Sequence, residues 1–273
     1  MAIVAISQQL GSRGIELGQL AARRLGYRFM SGEEVVSEAA RIFGVSQEEL
    51  LVFDMRTPHF WERVRSESHR YVAYFRAVLL KEMAGDKIVV AGRTLAHQLP
   101  TTACAIRVRV VAPLSDRVRW TATQEKIDAT AAERQVREHD REIKARSQNL
   151  FSVDIDEPTV YDLTLNTSSH PIEMLAELLA DAARAIDASP DRAALQALSD
   201  VAIAAQVHAA LLVHPKIRDA EIGVTCKSGA VCLSGPGLVA PWDGMVREVA
   251  RKIDGVREVE VEAEAPVPPV RSE

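Results

Sequence analysis

The order of apolar and polar positions divides the chain into recognisable elements. Ala2-Ile3-Val4-Ala5-Ile6 is an unbroken apolar run, which predicts a buried parallel strand. A glycine-bearing turn, Ser7 to Gly14, follows it. Leu17, Leu20, Ala21 and Leu25 then recur at helical spacing until Gly26. Strand, turn and helix in that order form the first half of a βαβ unit. Helices are predicted over Glu33 to Phe43 and about Phe60 to Ala84, the second with Tyr71, Phe75, Val78 and Leu79 on one face. Ile88 to Ala91 and Ile106 to Val111 read as strands, the second alternating as an outer or partly exposed strand does. A charged helical stretch covers Ser115 to Arg146, Tyr161 to Asn166 is a last strand, and Pro171 to Ile186 a closing helix. This alternation predicts a three-layer α/β domain with a mostly parallel sheet over residues 1–187.

Asp187 to Asp191 carries linker chemistry, and residues 188–198 are read as the connection to a second domain. Within 199–264 the order changes to αββαβ, a small α+β domain: a helix at Ser199 to Val213, strands at Ile217 to Thr225 and Val231 to Ser234 around a Lys227-Ser228-Gly229 turn, a helix at Pro241 to Ile253, and a strand at Val256 to Glu262. Residues 265–273 hold three prolines and little to bury, which predicts a disordered tail.

Composition narrows the function classes. Apolar residues are 47% and charged residues 26% of 273, an ordinary globular balance, and a net charge of -5 gives no general attraction to polyanions. With aromatics at 5%, platforms of stacked rings for single-stranded nucleic acid are disfavoured, and no nucleic-acid partner is expected. Cys104, Cys226 and Cys232 are too scattered for a disulfide framework or a zinc site; Cys226 and Cys232 read as small strand residues. No apolar run is read as reaching the roughly 20 residues of a transmembrane helix, and Ser7-Gln8-Gln9 closes the apolar start too soon for a signal peptide. A cytoplasmic location is the expectation.

The turn holds the first candidate chemistry. The opening amides of a helix lack internal partners and carry the positive end of its dipole, so they attract anions. Gly11 and Gly14 let a phosphate approach the backbone closely. The usual Gly-Lys followed by Ser or Thr is missing: Gly14 precedes Ile15 and Glu16, and no lysine occurs before Lys81. A turn that uses glycine only for its geometry fits the spacing equally well.

Residues 3–14 through Leu25-Gly26-Tyr27-Arg28-Phe29 resemble the opening of the cytidylate kinase-like family, P-loop relatives of the nucleoside monophosphate kinases. Val89-Val90-Ala91-Gly92-Arg93, Val110 through Arg119, and Tyr161 to Thr167 resemble three later segments of the same family, in the same order. The resemblance implies ATP with magnesium as phosphoryl donor and CMP or a similar small nucleotide as acceptor. It places the donor phosphates on Gly11, Ser12, Arg13 and Gly14, and the acceptor on Arg93. Departures accompany it. Arg13 stands where that branch carries glycine and Ile15 where it carries arginine, so Arg13 either takes over the cationic role or lies on the surface. Thr94 replaces the aspartate that follows Gly-Arg in true cytidylate kinases, and Phe29-Met30-Ser31 lacks the usual carboxylate.

Phosphoryl transfer is catalysed by positioning and by cations around the equatorial oxygens. The stretch Arg134 to Arg146 lies where the resembled enzymes have a mobile lid, which assigns Arg141, Lys144 and Arg146, together with Arg13, as catalytic cations; the alternative is a solvated helix face. His139 reads as a surface histidine. Ser12 and Glu16 are the loop's nearest oxygens for magnesium, and neither is assigned as a metal ligand. Residues 199–264 resemble a BON domain through Gly229-Ala230-Val231-Cys232-Leu233-Ser234-Gly235 and flanking segments, implying a regulatory or interaction module with an unidentified ligand or protein partner. Seven basic against ten acidic residues there make docking on anionic lipid unfavourable. A catalytically degenerate nucleotide sensor, or a scaffold acting through that module, is the alternative to a kinase.

Overall fold

The computed structural model describes residues 2–47, 50, 65–85, 87–99, 102, 104–217, 220–235, 238 and 242–263. Residues 60–64, where the second long helix was expected to begin, and the tail 265–273 lie outside them. The chain packs as two compact units. One comprises Met1–Arg65 and Gly85–Ala194, the other Ser66–Ala84 and Leu195–Glu273.

The first unit contains β1 (Ile3–Gln8), α1 (Gly14–Leu25), β2 (Arg28–Ser31), α2 (Gly32–Phe43), β3 (Ile88–Gly92), β4 (Ala105–Val111), α4 (Leu114–Glu125), α5 (Ala129–Phe151), β5 (Leu163–Asn166) and α6 (Ile172–Ala188); α3 (Arg65–Gly85) falls almost entirely in the second. The five strands form one parallel sheet in the order β2-β3-β1-β4-β5, within a three-layer α/β arrangement. β1 is central, which is why its run is wholly apolar: Ile3, Val4, Ala5 and Ile6 are at most 2% exposed. Val4 and Ile6 share a core with Leu17 and Ala21 of α1, Val108 and Val110 of β4, and Leu175 and Leu179 of α6.

Three expectations change here. β2 was not foreseen, being four residues with one buried position. β4 is not an outer strand but lies between β1 and β5. The charged stretch is two helices: Lys126 adopts the left-handed conformation (φ 56°) at the end of α4, and the Asp128 carboxylate caps α5 by accepting from the Ala131 amide at 2.9 Å.

In the second unit α7 (Arg192–Val213), β6 (Gly223–Lys227), β7 (Ala230–Gly235), α8 (Trp242–Arg251) and β8 (Glu258–Ala263) follow the αββαβ order, with β6 antiparallel and β8 parallel to β7. The helix begins at Arg192 rather than Ser199, so only 189–191 separate α6 from α7. Ser228 (φ 51°) and Gly229 (φ 82°) form the two-residue turn that a β-hairpin favours. The nearly buried Asp200 carboxylate accepts from both their amides, at 2.8 and 3.2 Å, pinning the hairpin to α7. Against the expectation of no span-length apolar run, α7 is long and apolar enough to cross a bilayer, with a mean hydropathy of 1.4 over 18 residues; its Ile203, Val207 and Leu211 lie in the core of this unit.

Candidate functional site

In a parallel sheet, crevices open at the carboxyl ends of strands where the chain reverses its winding direction. β1 is flanked by β3 and β4, so that point lies at Gln8 and the turn after it. Long-range hydrogen bonds fix the turn. The Gln9 amide donates to the Val110 carbonyl at 3.0 Å. Ser12 Oγ donates to the carbonyls of Gln9 (2.7 Å) and Val110 (3.2 Å), and Thr167 Oγ1 donates to the Ser12 carbonyl at 2.8 Å. Gly11 (φ 77°) has no space for a side chain, since a Cβ there would lie 2.5 Å from the Arg117 carbonyl oxygen of α4.

The mouth of α1 is partly closed by the protein itself. Gln8 Oε1 accepts from the Ile15 amide at 2.9 Å, and a Cβ on Gly14 would sit 2.5 Å from the same oxygen. Arg13 occupies the N-cap in the left-handed conformation (φ 60°). Its guanidinium forks onto Glu16 at 2.9 and 2.8 Å and lies 4.8 Å from the Trp120 ring centroid. The hydrogen bond to Glu16 is the main reason its pKa is raised. Arg13 is thus neutralised by a neighbour, and Ser12 Oγ is committed inward, so neither side chain is presented to a phosphate in this arrangement.

The cations gather instead in an adjacent cavity of about 300 Å³, lined by Gln8, Gln9, Arg109, His139, Arg141 and Lys144 among others. α5 supplies half of its lining. Ala132, Val136, His139, Ile143 and Arg146 recur at four-three-four-three spacing, and Ala132, Val136, Ile143 and Arg146 are at most 6% exposed. His139 therefore lies on the inward face, with both ring nitrogens buried, rather than on the surface. Burial, and then the charges of Arg93, Arg146, Arg117 and Arg109, push its pKa down to about 3. Lys144 is tied to Asp156 (2.5 Å) and Asp154 (3.5 Å). Arg117 bridges three segments: its guanidinium donates to the Ala112 carbonyl (3.1 Å) and the Leu10 carbonyl (3.4 Å) and pairs with Asp140 at 2.9 Å.

Arg109 is the least expected member. It is 5% exposed at the Ser7 register of β4, and its Cζ lies 5.8 Å from the Tyr161 ring centroid. Tyr161 Oη donates to the Ile155 carbonyl at 3.1 Å and lies 3.3 Å from His97 Nε2. Burial raises the Tyr161 pKa to about 12, and burial followed by Arg109 and Arg107 lowers that of His97 to about 4.

Residues 3–169 match the cytidylate kinase-like family over more than half of the chain. The chain belongs to that family. Among its relatives, the cytidylate kinase of Staphylothermus marinus is 25% identical over 175 residues, covering 63% of this chain and 91% of that protein. The cytidylate kinase of Pyrobaculum calidifontis is 27% identical over 168 residues, 62% of this chain and 85% of that one. A solved structure of an uncharacterized protein from Eubacterium ventriosum shares the fold with a TM-score of 0.52 at 13% identity, over 67% of this chain and 99% of that chain. The family match includes the whole parallel sheet and the turn after β1.

Of the residues singled out in the sequence, Gly11, Ser12, Arg13 and Gly14 form the turn, Arg141 and Lys144 line the cavity, and Arg93 and Arg146 act on His139 from beside it. Gln8, Arg109, Arg117 and His139 were not singled out as functional. The period of α5 would have exposed His139, whereas Arg109, alternating with Arg107 along β4, carried no such signal.

Proposed function

We propose that the protein is an ATP-dependent phosphotransferase of the nucleoside monophosphate kinase type, acting on CMP or a similar small phosphorylated acceptor. The observation that carries this is the cavity: Arg109, Arg141 and Lys144 converge beside the glycine turn at the carboxyl end of a parallel sheet. Such a group of cations suits a reaction whose catalysis is electrostatic. In this reading the turn amides of Gly11 to Gly14 face the donor phosphates, while Arg93 and Arg109 hold the acceptor. Arg141, Lys144 and Arg146 gather the transferred group and exclude water. When bound, magnesium would neutralise donor oxygens. Ser12 Oγ donates to the Gln9 carbonyl and Glu16 pairs with Arg13, so in this reading phosphates and water, with at most one or two protein oxygens, would supply its ligands.

The αββαβ unit with its Gly229 to Gly235 strand supports a BON-like regulatory or interaction module. Purified protein with ATP, magnesium and a panel of CMP, dCMP, UMP and AMP is expected to form ADP; no ADP with any acceptor would defeat the assignment. A second reading, a nucleotide sensor without turnover, is favoured by Gln8 on the Ile15 amide and by Arg13 on Glu16. It predicts calorimetric binding of nucleotide without ADP. Absence of binding removes both readings.

A further inference from the structure

The charges around the cavity are not equally compensated. Arg117 has Asp140, and Lys144 has Asp156 and Asp154. Arg109 makes no ion pair among the described residues. It is 5% exposed, lines the cavity, and its Nη1 is buried without a hydrogen-bond partner. Both ring nitrogens of His139, on the same cavity wall, are also buried without partners. A buried guanidinium with no counter-ion and an imidazole with two open nitrogens carry a large desolvation penalty, which an anion in the cavity relieves.

We propose that Arg109 and His139 form the inner seat for one tetrahedral dianion, and that His139 takes up a proton from solvent when the seat is filled. The seat deepens the phosphotransferase reading and rests on it only for the identity of the ligand. The charges acting on His139 are Arg93 after β3, Arg109 on β4, Arg117 on α4 and Arg146 on α5, and the cavity it lines also carries Asp140, Arg141 and Lys144 of α5 and Asp156 beyond it. With the cavity unfilled, burial first and then the four arginines keep the imidazole neutral at neutral pH. A dianion between Arg109 and His139 reverses the local field. The neutral ring has one N–H and one lone pair, and the lone pair would face the anion's oxygens. Protonation turns both nitrogens into donors.

Sulfate is the probe, because it remains a dianion where phosphate titrates. Calorimetry of the full chain with sulfate, in two buffers of different ionisation enthalpy, is expected to show uptake of a proton and binding that strengthens by up to about tenfold per unit fall in pH below about pH 6.5. His139→Gln is expected to abolish the uptake and flatten this dependence while sulfate still binds. Arg109→Gln is expected to weaken sulfate by roughly tenfold or more, with the thermal transition confirming that each variant is folded. Displacement of sulfate by CMP assigns the seat to the acceptor phosphate; displacement by a non-hydrolysable ATP analogue assigns it to the donor. Displacement by neither, equal affinity in Arg109→Gln, or proton uptake that persists in His139→Gln overturns the proposal. If sulfate and CMP bind with proton uptake but no acceptor yields ADP, the phosphotransferase reading fails and the seat stands.

Discussion

Replacing Gln8 by alanine is expected to tighten ATP binding and weaken the fold by comparable amounts. Gln8 Oε1 holds the Ile15 amide at 2.9 Å, one of the first amides of α1 and the kind of donor a phosphate oxygen needs. A neutral hydrogen bond of this sort contributes a net ~0.5–1.5 kcal/mol. The wild-type protein must surrender that bond when a phosphate takes the position; Gln8→Ala has nothing to surrender. The gain in affinity is therefore about two- to tenfold, and the loss of stability about 1 kcal/mol. Calorimetry with a non-hydrolysable ATP analogue measures the first, and urea denaturation of the unliganded protein the second. Gln8→Glu provides the opposite arm. A carboxylate at that helix terminus is favourable by ~0.3–1 kcal/mol and repels phosphate, so stability rises while affinity falls. Weaker ATP binding by Gln8→Ala would refute the reasoning, because the side chain would then be a ligand and not a competitor. No change in either quantity would remove the Ile15 amide from the site.

Other expectations test the surroundings. Arg117→Met removes a nearly buried cation from Asp140 and from the Leu10 and Ala112 carbonyls, and is expected to destabilise the protein by about 3 kcal/mol in denaturant titration, more than any single cavity arginine that lacks such partners. Tyr161→Phe deletes the hydrogen bond to the Ile155 carbonyl and the contact with His97 Nε2; a loss of about 1 kcal/mol is expected, together with weaker nucleotide binding, because Ile155 forms part of the cavity wall. His97 and His139 have folded pKa values of about 4 and 3, below their ordinary 6.5, so the unfolded chain binds more protons between those limits. Unliganded stability is accordingly complete above about pH 6.5 and falls by ~1.4 kcal/mol per pH unit for each histidine as pH drops towards 4. His139→Gln removes one of the two contributions, which a series of melts across that range reads directly.

The elements that the sequence displayed most clearly are those whose burial is local in origin. Ile3 to Ile6 are apolar because β1 is central, and Gly26 ends α1 in the left-handed conformation. β2 was missed because Arg28-Phe29-Met30-Ser31 occupies a sheet edge, where one buried residue makes no pattern. The candidate site was only half legible. Arg141 and Lys144 could be placed from their position in a charged helix, but the fate of Arg13 depended on Glu16 and on Trp120 far along the chain. Arg109 was hidden for a similar reason. In β4 its alternation with apolar neighbours looks like an exposed face until α5 and the segment around Tyr161 cover it.

The bonds that hold the glycine turn have an implication for biosynthesis. Ser12 is fastened to Val110, 98 residues later, and its carbonyl to Thr167, 155 residues later. A nascent chain that has emerged only through α5 can form β1 and α1 but lacks the threonine that fastens the turn. Contacts of such long separation close late, after the loop entropy between them has been overcome. The ribosome therefore releases most of this unit before its glycine turn can settle, and truncation ahead of β5 is expected to leave a collapsed sheet with a loose turn after β1.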